Sequence, residues 1–218
     1  QSIDPKQLVS SSETQRLEQL TRFQLTEDEY SCLANIAKQE GVVFLSTPFY
    51  LEAVDFLNSL VPAFKIASGD NNFIPLLKIV ARTQKPILLS TGMSDLAGIN
   101  KAVAVIECEW KKLSLTDIPE IALLHCVSSY PTISSDANIG FLRELVSLGH
   151  VVGYSDHTIG AEAVCLAIAL GARIIEKHFT IDKNFSDFRD HQISCDPQEM
   201  KFYCEAVRLS EVLLGAGE

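Results

Sequence analysis

Residues 151–178 read VVGYSDHTIGAEAVCLAIALGARIIEKH. The stretch divides into a short apolar strand, a small-residue helix and a second apolar strand. Gly149 and Gly171 stand just before the two strands, where a preceding helix is expected to stop. Each apolar run ends in polar residues. The first ends in Ser155, Asp156 and His157, the second in Glu176, Lys177 and His178. Strands joined through a helix pair in parallel, with a right-handed crossover. Parallel strands buried on both faces read as continuous apolar runs, as these do.

The same unit recurs upstream. Apolar runs over 42–47, 64–68, 86–90 and 121–126 predict further strands. Helices are expected over 50–59, 74–83, 95–108, 138–148 and 160–170, the third capped by Ser94 or Asp95. Thr26-Glu27-Asp28-Glu29 is a capping box for a helix to about Gln39, with Gly41 as its stop. Asp196-Pro197-Gln198-Glu199 opens a closing helix that runs to about Leu214. Residues 1–15 read as loop. The segment EWKKLSLTDIPE reads as a polar connector, in which the lone Trp110 has no inferred role.

The upstream runs also end in polar residues: Ser46 and Thr47, Ser68, Ser90 and Thr91, then His125, Ser128 and Tyr130. Polar residues at the same end of successive parallel strands converge on one rim, which in a (β/α) barrel is where the chemistry sits. Six strand–helix units are present, whereas a complete barrel has eight strands and roughly 250 residues. The fold class expected is α/β, a (β/α)8 TIM barrel that is incomplete here, its first two strands lying upstream of Gln1. Residues 1–218 would then be a single catalytic barrel domain. The rival is an open, doubly wound sheet complete at six strands. No glycine-rich nucleotide fingerprint follows the first strand, which disfavours the dinucleotide-binding version.

Composition narrows the function. The formal net charge of −10 argues against general nucleic-acid binding, which needs a positive footprint. It leaves room for an anionic small substrate held by local donors. No apolar stretch approaches the ~18 residues of a membrane span. The opening QSIDPKQLVSSSETQ lacks the charged and apolar regions of a signal peptide. The six cysteines include no C-x-x-C pair, several sit inside apolar patterns, and they read as buried free thiols of a reducing compartment.

His157 and His178 end successive strands, and neighbouring strands lie about 4.8 Å apart, so the two imidazoles can share a divalent metal. Asp156 or Glu176 can orient a ring nitrogen. The alternative is that the histidines only hold loop backbone. Ser68, Ser90, Ser128 and Ser155 add hydroxyls, and the helix N-termini that follow add N–H groups that favour anions. Lys65, three residues before Ser68, is expected on the opposite strand face; it either meets an anion or caps the barrel bottom in a salt bridge. Lys177 is either a Schiff-base lysine or a helix-facing partner for a carboxylate. Side-chain alternation puts it on the face opposite Glu176 and His178, which counts against the Schiff base. Asp190 and His191 follow the last strand in a long loop of the kind that contacts substrates.

Taken together and in order, FKIASGDNN, KPILLSTGM, LLHCVSSYPT, GYSDHT, GARIIEKHFT and the later Asp-His closely resemble the sialic acid synthase family, from Gln1 to about Gly217. The resemblance implies a (β/α)8 barrel and a cytoplasmic transferase. Its members condense phosphoenolpyruvate with an N-acylated sugar into nonulosonic acids such as N-acetylneuraminate. It implies that His157 and His178 ligate Mn2+ or Mg2+. Lys65, Ser68, Ser90 and Ser155 match phosphoenolpyruvate-binding positions, with Ser46 or Thr47 joining them. Ser128 stands where an asparagine often holds that substrate. Tyr130 and Asp190 match sugar-contacting positions, and Gln1 aligns with a further one. Lys65, Asp70 and Glu176 are the candidate catalytic residues, with Asp70 or Glu176 handling a water. Asp70 stands where a glutamate is often found, and Phe188-Arg189 replaces the Gly-Pro usual before Asp190. The resemblance also implies a homodimer in which a C-terminal antifreeze-like domain, beyond Glu218, completes the partner's site. The competing functions are a Schiff-base aldolase using Lys177 and a catalytically incompetent barrel piece that serves only in binding or assembly.

Overall fold

The computed structural model describes Thr21, residues 24–185 and residues 189–215, which leaves Gln1 and the loop expected over 1–15 outside the described residues. The chain forms two compact units, residues 1–44 and 45–218. In the first unit, helix α1 spans Glu27–Gln39. Thr26 and Glu29 close the expected capping box, and three acidic residues occupy the first turn, where the helix dipole favours them. Gly41 follows at φ +70°, a conformation that glycine adopts without strain.

The strand expected over 42–47 is not formed. Residues 42–48 make no ladder, and Val42 and Val43 are 61% and 70% exposed. β-branched residues favour extended backbone, but a strand also needs a neighbour for its N–H and C=O groups. Among the described residues no strand pairs with this run, and Val42 N donates back to Ala37 O of α1.

The second unit holds five strands: β1 (Phe64–Ile66), β2 (Ile87–Ser90), β3 (Ile121–Cys126), β4 (Val151–Asp156) and β5 (Ile174–Lys177). They form one parallel sheet in the order β1-β2-β3-β4-β5. Helices α2 (Leu51–Asn58), α3 (Ile74–Arg82), α4 (Leu96–Lys112), α5 (Leu142–Ser147) and α6 (Glu162–Ala169) alternate with the strands. A short α7 (Arg189–Ile193) and a long α8 (Pro197–Leu214) follow β5. A doubly wound sheet reverses its strand order at a switch point. This sheet does not, so the open-sheet alternative is set aside.

The sheet is also curled, as one ion pair shows. Lys65 Nζ of β1 lies 3.3 Å from Glu176 Oε1 of β5. Four inter-strand steps of about 4.8 Å would separate β1 and β5 by roughly 19 Å if the sheet were flat. A lysine and a glutamate together cannot span that. β1 and β5 must therefore bend toward one another, with Lys65 and Glu176 on the concave face.

Register sorts every strand residue onto one of two faces. Phe64, Ile66, Ile87, Leu89, Leu123, Val152 and Tyr154 are buried on the convex face. Lys65, Ser90, Leu124, Cys126, Ser155 and Glu176 alternate with them on the concave face. Between β4 and β5 the concave position is Gly153, where a Cβ would stand 2.5 Å from the Ile174 carbonyl, so the strand spacing there requires glycine.

Three sequence expectations are corrected. Of the six cysteines expected to be buried, Cys32, Cys108 and Cys204 are exposed, each on a helix. Trp110 is no connector residue: α4 continues to Lys112, and Trp110 extends the buried stripe of Ile99, Val103 and Ile106. Its indole N–H donates to Ala81 O at 2.9 Å, which pins α4 against α3. The helix expected over 138–148 begins as a 3-10 turn at Ile139–Phe141, entered through Asn138 at φ +43°. The remaining elements fall close to their expected ranges, with Gly149 and Gly171 at positive φ as helix stops. No helix among the described residues is long and apolar enough to cross a membrane.

Candidate active site

The concave face and the C-terminal ends of its strands bring most of the expected site residues together. Lys65 rises from β1 and donates to Ser90 Oγ at 2.7 Å while pairing with Glu176. Ser155 Oγ donates to the other carboxylate oxygen of Glu176. One ammonium, one carboxylate and two hydroxyls are thus joined across β1, β2, β4 and β5. Lys65 reaches toward the rim and does not cap the bottom of the sheet.

Ser68 corrects a prediction. Alternation placed it opposite Lys65, but β1 ends at Ile66 and Ser68 opens a 3-10 turn, where the two-residue period no longer applies. Its hydroxyl instead interacts with the Cys126 thiol on the concave face. It converges there with Ser128, because a Cβ on Gly92 would lie 2.6 Å from Ser68 Oγ and 2.9 Å from Ser128 Oγ. Gly92 is therefore the gap that lets the two hydroxyls meet. The loop carrying it is braced by the buried Asn71, which donates to Ser90 O and Gly92 O and accepts from Ser94 Oγ.

Beyond β4 and β5 the rings of His157 and His178 lie 5.2 Å apart, centroid to centroid. Tyr130 packs against both, at 4.1 Å and 5.7 Å. His157 Nδ1 lies 2.7 Å from Val127 O. A carbonyl only accepts, so Nδ1 carries a proton and Nε2 is the ring nitrogen turned away from the Val127 backbone. The Cys126 thiol contacts the same ring. Burial pushes that thiol up, but the His157 contact, with help from Ser68 and Ser155, outweighs it and leaves the thiol below its ordinary range.

Neither carboxylate expected to orient His157 does so. Asp156 faces the convex side, where it accepts from Thr158 N and Oγ1, Lys177 Nζ and Tyr203 Oη. Burial, then the charge of Asp156, pushes the Tyr203 phenol far above its usual range, so it stays a donor. Lys177 is enclosed in the same cluster, its side chain 4% exposed. A Schiff-base lysine must present a free amine to substrate. Lys177 is instead the partner of a buried carboxylate, which removes the aldolase alternative.

Other candidates stand apart from the ion-paired group. The Asp70 carboxylate has no hydrogen-bond or ion-pair partner among the described residues, and partial burial raises its pKa. Thr47 is half-buried in the unpaired segment ahead of α2. Asp190 lies in α7, where its carbonyl accepts from Ser194. The N-terminus of α4 is not open to an anion, since Asp95 already accepts from Gly98 N. Among the described residues no group of three or more His, Cys, Asp or Glu converges as a metal site.

A model described as the NeuB family matches residues 3–218. The chain belongs to the NeuB family. It is 47% identical over 95% of its length to a protein of Methanocaldococcus jannaschii, covering 60% of that protein. It is 39% identical over 98% of its length to N,N'-diacetyllegionaminic acid synthase of Campylobacter jejuni, covering 63% of that enzyme. Among solved structures it resembles the N-acetylneuraminic acid (sialic acid) synthetase of Leptospira borgpetersenii, in complex with citrate. The TM-score is 0.82 at 33% identity, over 89% of this chain and 66% of that one. The chain thus spans about 60% of the length of the curated relatives it matches most closely among these. A DAHP synthase of Thermotoga maritima, 16% identical over 86% of this chain with a TM-score of 0.71, shares the fold.

Within the NeuB chain, sequence reasoning missed Gly92, Asn71 and Cys126. All three lie inside motifs quoted above. The signal for Gly92 was a glycine directly after a strand-end Ser-Thr, which marks a close approach of backbone.

Proposed function

We propose that the chain is the barrel portion of a nonulosonic acid synthase that joins phosphoenolpyruvate to an N-acylated sugar aldehyde, such as N-acetylmannosamine, and releases phosphate. The observation that carries this reading is the concave cluster of Lys65, Ser90, Ser155 and Glu176, one strand end below two adjacent imidazoles. An anionic, nucleophilic substrate and a carbonyl electrophile need these two kinds of group side by side. The names of the relatives support it.

The donor set fits a divalent metal, Mn2+ or Mg2+. His157 gives its Nδ1–H to Val127 O, so Nε2 is the nitrogen left to face a ligand, and His178 lies beside it. Two protein ligands leave positions for substrate and water, as a catalytic site requires. Held through His157 and His178, the ion would supply Lewis acidity toward the sugar carbonyl. The remaining work falls to the chain's own groups. Lys65 and the hydroxyls of Ser68, Ser90, Ser128 and Ser155 hold the phosphate and carboxylate of phosphoenolpyruvate and offset their charge. C3 of the enol attacks the aldehyde carbon; the carbon–carbon bond forms as the C=O π bond breaks, the aldehyde oxygen takes a proton from solvent, and C2 is left electron-poor. Glu176, tied to Ser155 on the same face, takes a proton from the water that adds at C2; its position favours it over Asp70. The bond from C2 to the phosphate oxygen then breaks, phosphate leaves with that oxygen, and the added hydroxyl gives up its proton to leave a 2-keto acid. Tyr130 and Asp190 would contact the sugar. Such an enzyme would work in the cytoplasm, where phosphoenolpyruvate is made, and as a homodimer.

Phosphoenolpyruvate labelled with 18O at the bridging oxygen tests the reading in the whole protein. Sugar-dependent release of labelled phosphate is expected with N-acetylmannosamine, its 6-phosphate or a diacetamido analogue. No sugar-dependent release with any of them, despite phosphoenolpyruvate binding, would leave a binding module. Gly92→Ala gives a local check. The new methyl would displace Ser68 and Ser128 and press on Cys126 O at 3.1 Å. A charged ligand loses about 1.5–3 kcal/mol per hydrogen bond, so the apparent constant for phosphoenolpyruvate should rise at least about tenfold while the sugar's changes little. Unchanged kinetics would remove those two hydroxyls from the anion site.

A further inference from the structure

Asp156 and Lys177 are the residues immediately before the two imidazoles, and they are register partners at the ends of β4 and β5. Their side chains form an ion pair at 3.2 Å, with exposures of 0% and 4%. We propose that Asp156, Lys177 and Tyr203 form a staple on the convex face that sets the spacing and ring orientation of His157 and His178 on the other side. They are positioning residues. The inference rests on the reading of the two histidines as metal ligands.

The cluster grips the chain on both flanks of His157. Asp156 Oδ1 accepts from Thr158 N at 2.8 Å and Thr158 Oγ1 at 2.7 Å. Asp156 Oδ2 accepts from Lys177 Nζ and, at 2.7 Å, from Tyr203 Oη. Lys177 Nζ also donates to Thr158 O. Residues 156 and 158 are therefore both held, and between them the His157 ring meets Cys126 on the opposite face. On that face the His157 carbonyl accepts from Thr132 N, and its ring is aimed by Val127 O. His178 is tied in the same way: its carbonyl accepts from Cys195 N, one residue ahead of the Asp196 cap of α8. Helix α8 supplies Tyr203, so one helix reaches both histidine-bearing strands.

Stability alone does not account for the arrangement. A buried ion pair is often replaceable by apolar residues of similar volume without loss. What an apolar pair cannot do is fix direction. Five hydrogen bonds from three residues fix the strand ends more tightly than packing does, and groups behind metal-binding histidines tune affinity in this way.

The test uses the whole protein and three variants: Asp156→Leu/Lys177→Met, which removes both charges at similar volume, Tyr203→Phe, and His178→Ala. Urea unfolding, Mn2+ titration, phosphoenolpyruvate binding without metal, and 1H–15N NMR of the imidazoles in metal-free protein are measured. In the folded double variant Mn2+ affinity should fall about 10- to 100-fold, with phosphoenolpyruvate affinity unchanged. The His157 ring should pass from the single Nδ1–H tautomer to a mixture. Tyr203→Phe should move both readouts in the same direction by less, and it decides the question if the double variant does not fold. Wild-type Mn2+ affinity and an unaltered tautomer in the folded variants would overturn the staple. If Mn2+ binding survives His178→Ala, the metal reading itself fails, and the tautomer measurement still decides whether the cluster orients His157.

Discussion

His157→Ala and His178→Ala are each expected to abolish metal-dependent condensation in the whole protein, but only the first should cost stability. A Lewis-acid metal is worth several kcal/mol at the reacting carbonyl. At 1.4 kcal/mol per decade, losing either ligand should lower turnover about 10³-fold or more, and added Mn2+ should not restore it. The stability difference follows from burial. His157 is 4% exposed and satisfies Val127 O, so alanine empties a buried site and leaves that part-buried carbonyl only its longer 3.4 Å bond from Thr132 Oγ1. Such a loss costs about 1–3 kcal/mol. His178 is half-buried, and water can replace much of its ring. A place on the rim does not make His157 removable without cost to the fold, because its ring is buried. His178→Ala is therefore the cleaner test, and a fully folded His178→Ala enzyme with normal activity and normal metal dependence would exclude both imidazoles as ligands.

What the sequence made legible was whatever local chemistry decides. The capping boxes at Thr26 and Asp196, the glycine stops at 41, 149 and 171, and the apolar runs from β1 to β5 depend on a few adjacent residues, and the structure reproduces them. The alternation that set Lys177 apart from Glu176 and His178 was equally local, and it was enough to weaken the Schiff-base reading before any contact was known. The misreadings all depended on something distant. Residues 42–47 have the composition of a strand, but pairing requires a neighbour that composition cannot guarantee. Ser68 was misplaced because β1 stops two residues earlier than its apolar run suggests. Trp110 looked like loop because charged residues surround it, but Glu109 is itself buried between Arg82 and Lys112, and the indole follows the buried stripe to Ala81. The role of Asp156 as the centre of a convex cluster depended on Tyr203, 47 positions away. Cys126 gains its role only from the pairing of β3 with its neighbours, and Gly92, though marked by its place after Ser90-Thr91, owes its importance to the approach of Ser68 and Ser128.

Lys65→Met should raise the apparent constant for phosphoenolpyruvate roughly tenfold to a hundredfold, from the 1.5–3 kcal/mol of a charge-assisted bond to a charged ligand, and should change the sugar's only weakly. The structure sharpens this expectation, because Lys65 already has partners. Its ammonium is shared between Ser90 Oγ and Glu176, and both lie on the face where the anion would sit. Binding therefore exchanges a carboxylate for a phosphate or carboxylate of the substrate and uncovers no new charge. The same geometry makes the variant safe to interpret. The Glu176 side chain is 42% exposed and keeps its bond from Ser155, so without Lys65 it is neither buried nor unpartnered. The Lys65 side chain is only 12% exposed, and Ser90, 2% exposed, loses the donor to its Oγ, so the variant should cost about 1–3 kcal/mol of stability. Methionine preserves the length and apolar stem of lysine, so urea unfolding of Lys65→Met should show a cooperative transition shifted by no more than that, while the phosphoenolpyruvate constant moves by an order of magnitude or more. A loss of stability with unchanged phosphoenolpyruvate kinetics would make Lys65–Glu176 a structural brace between β1 and β5 and would take the lysine out of the anion site.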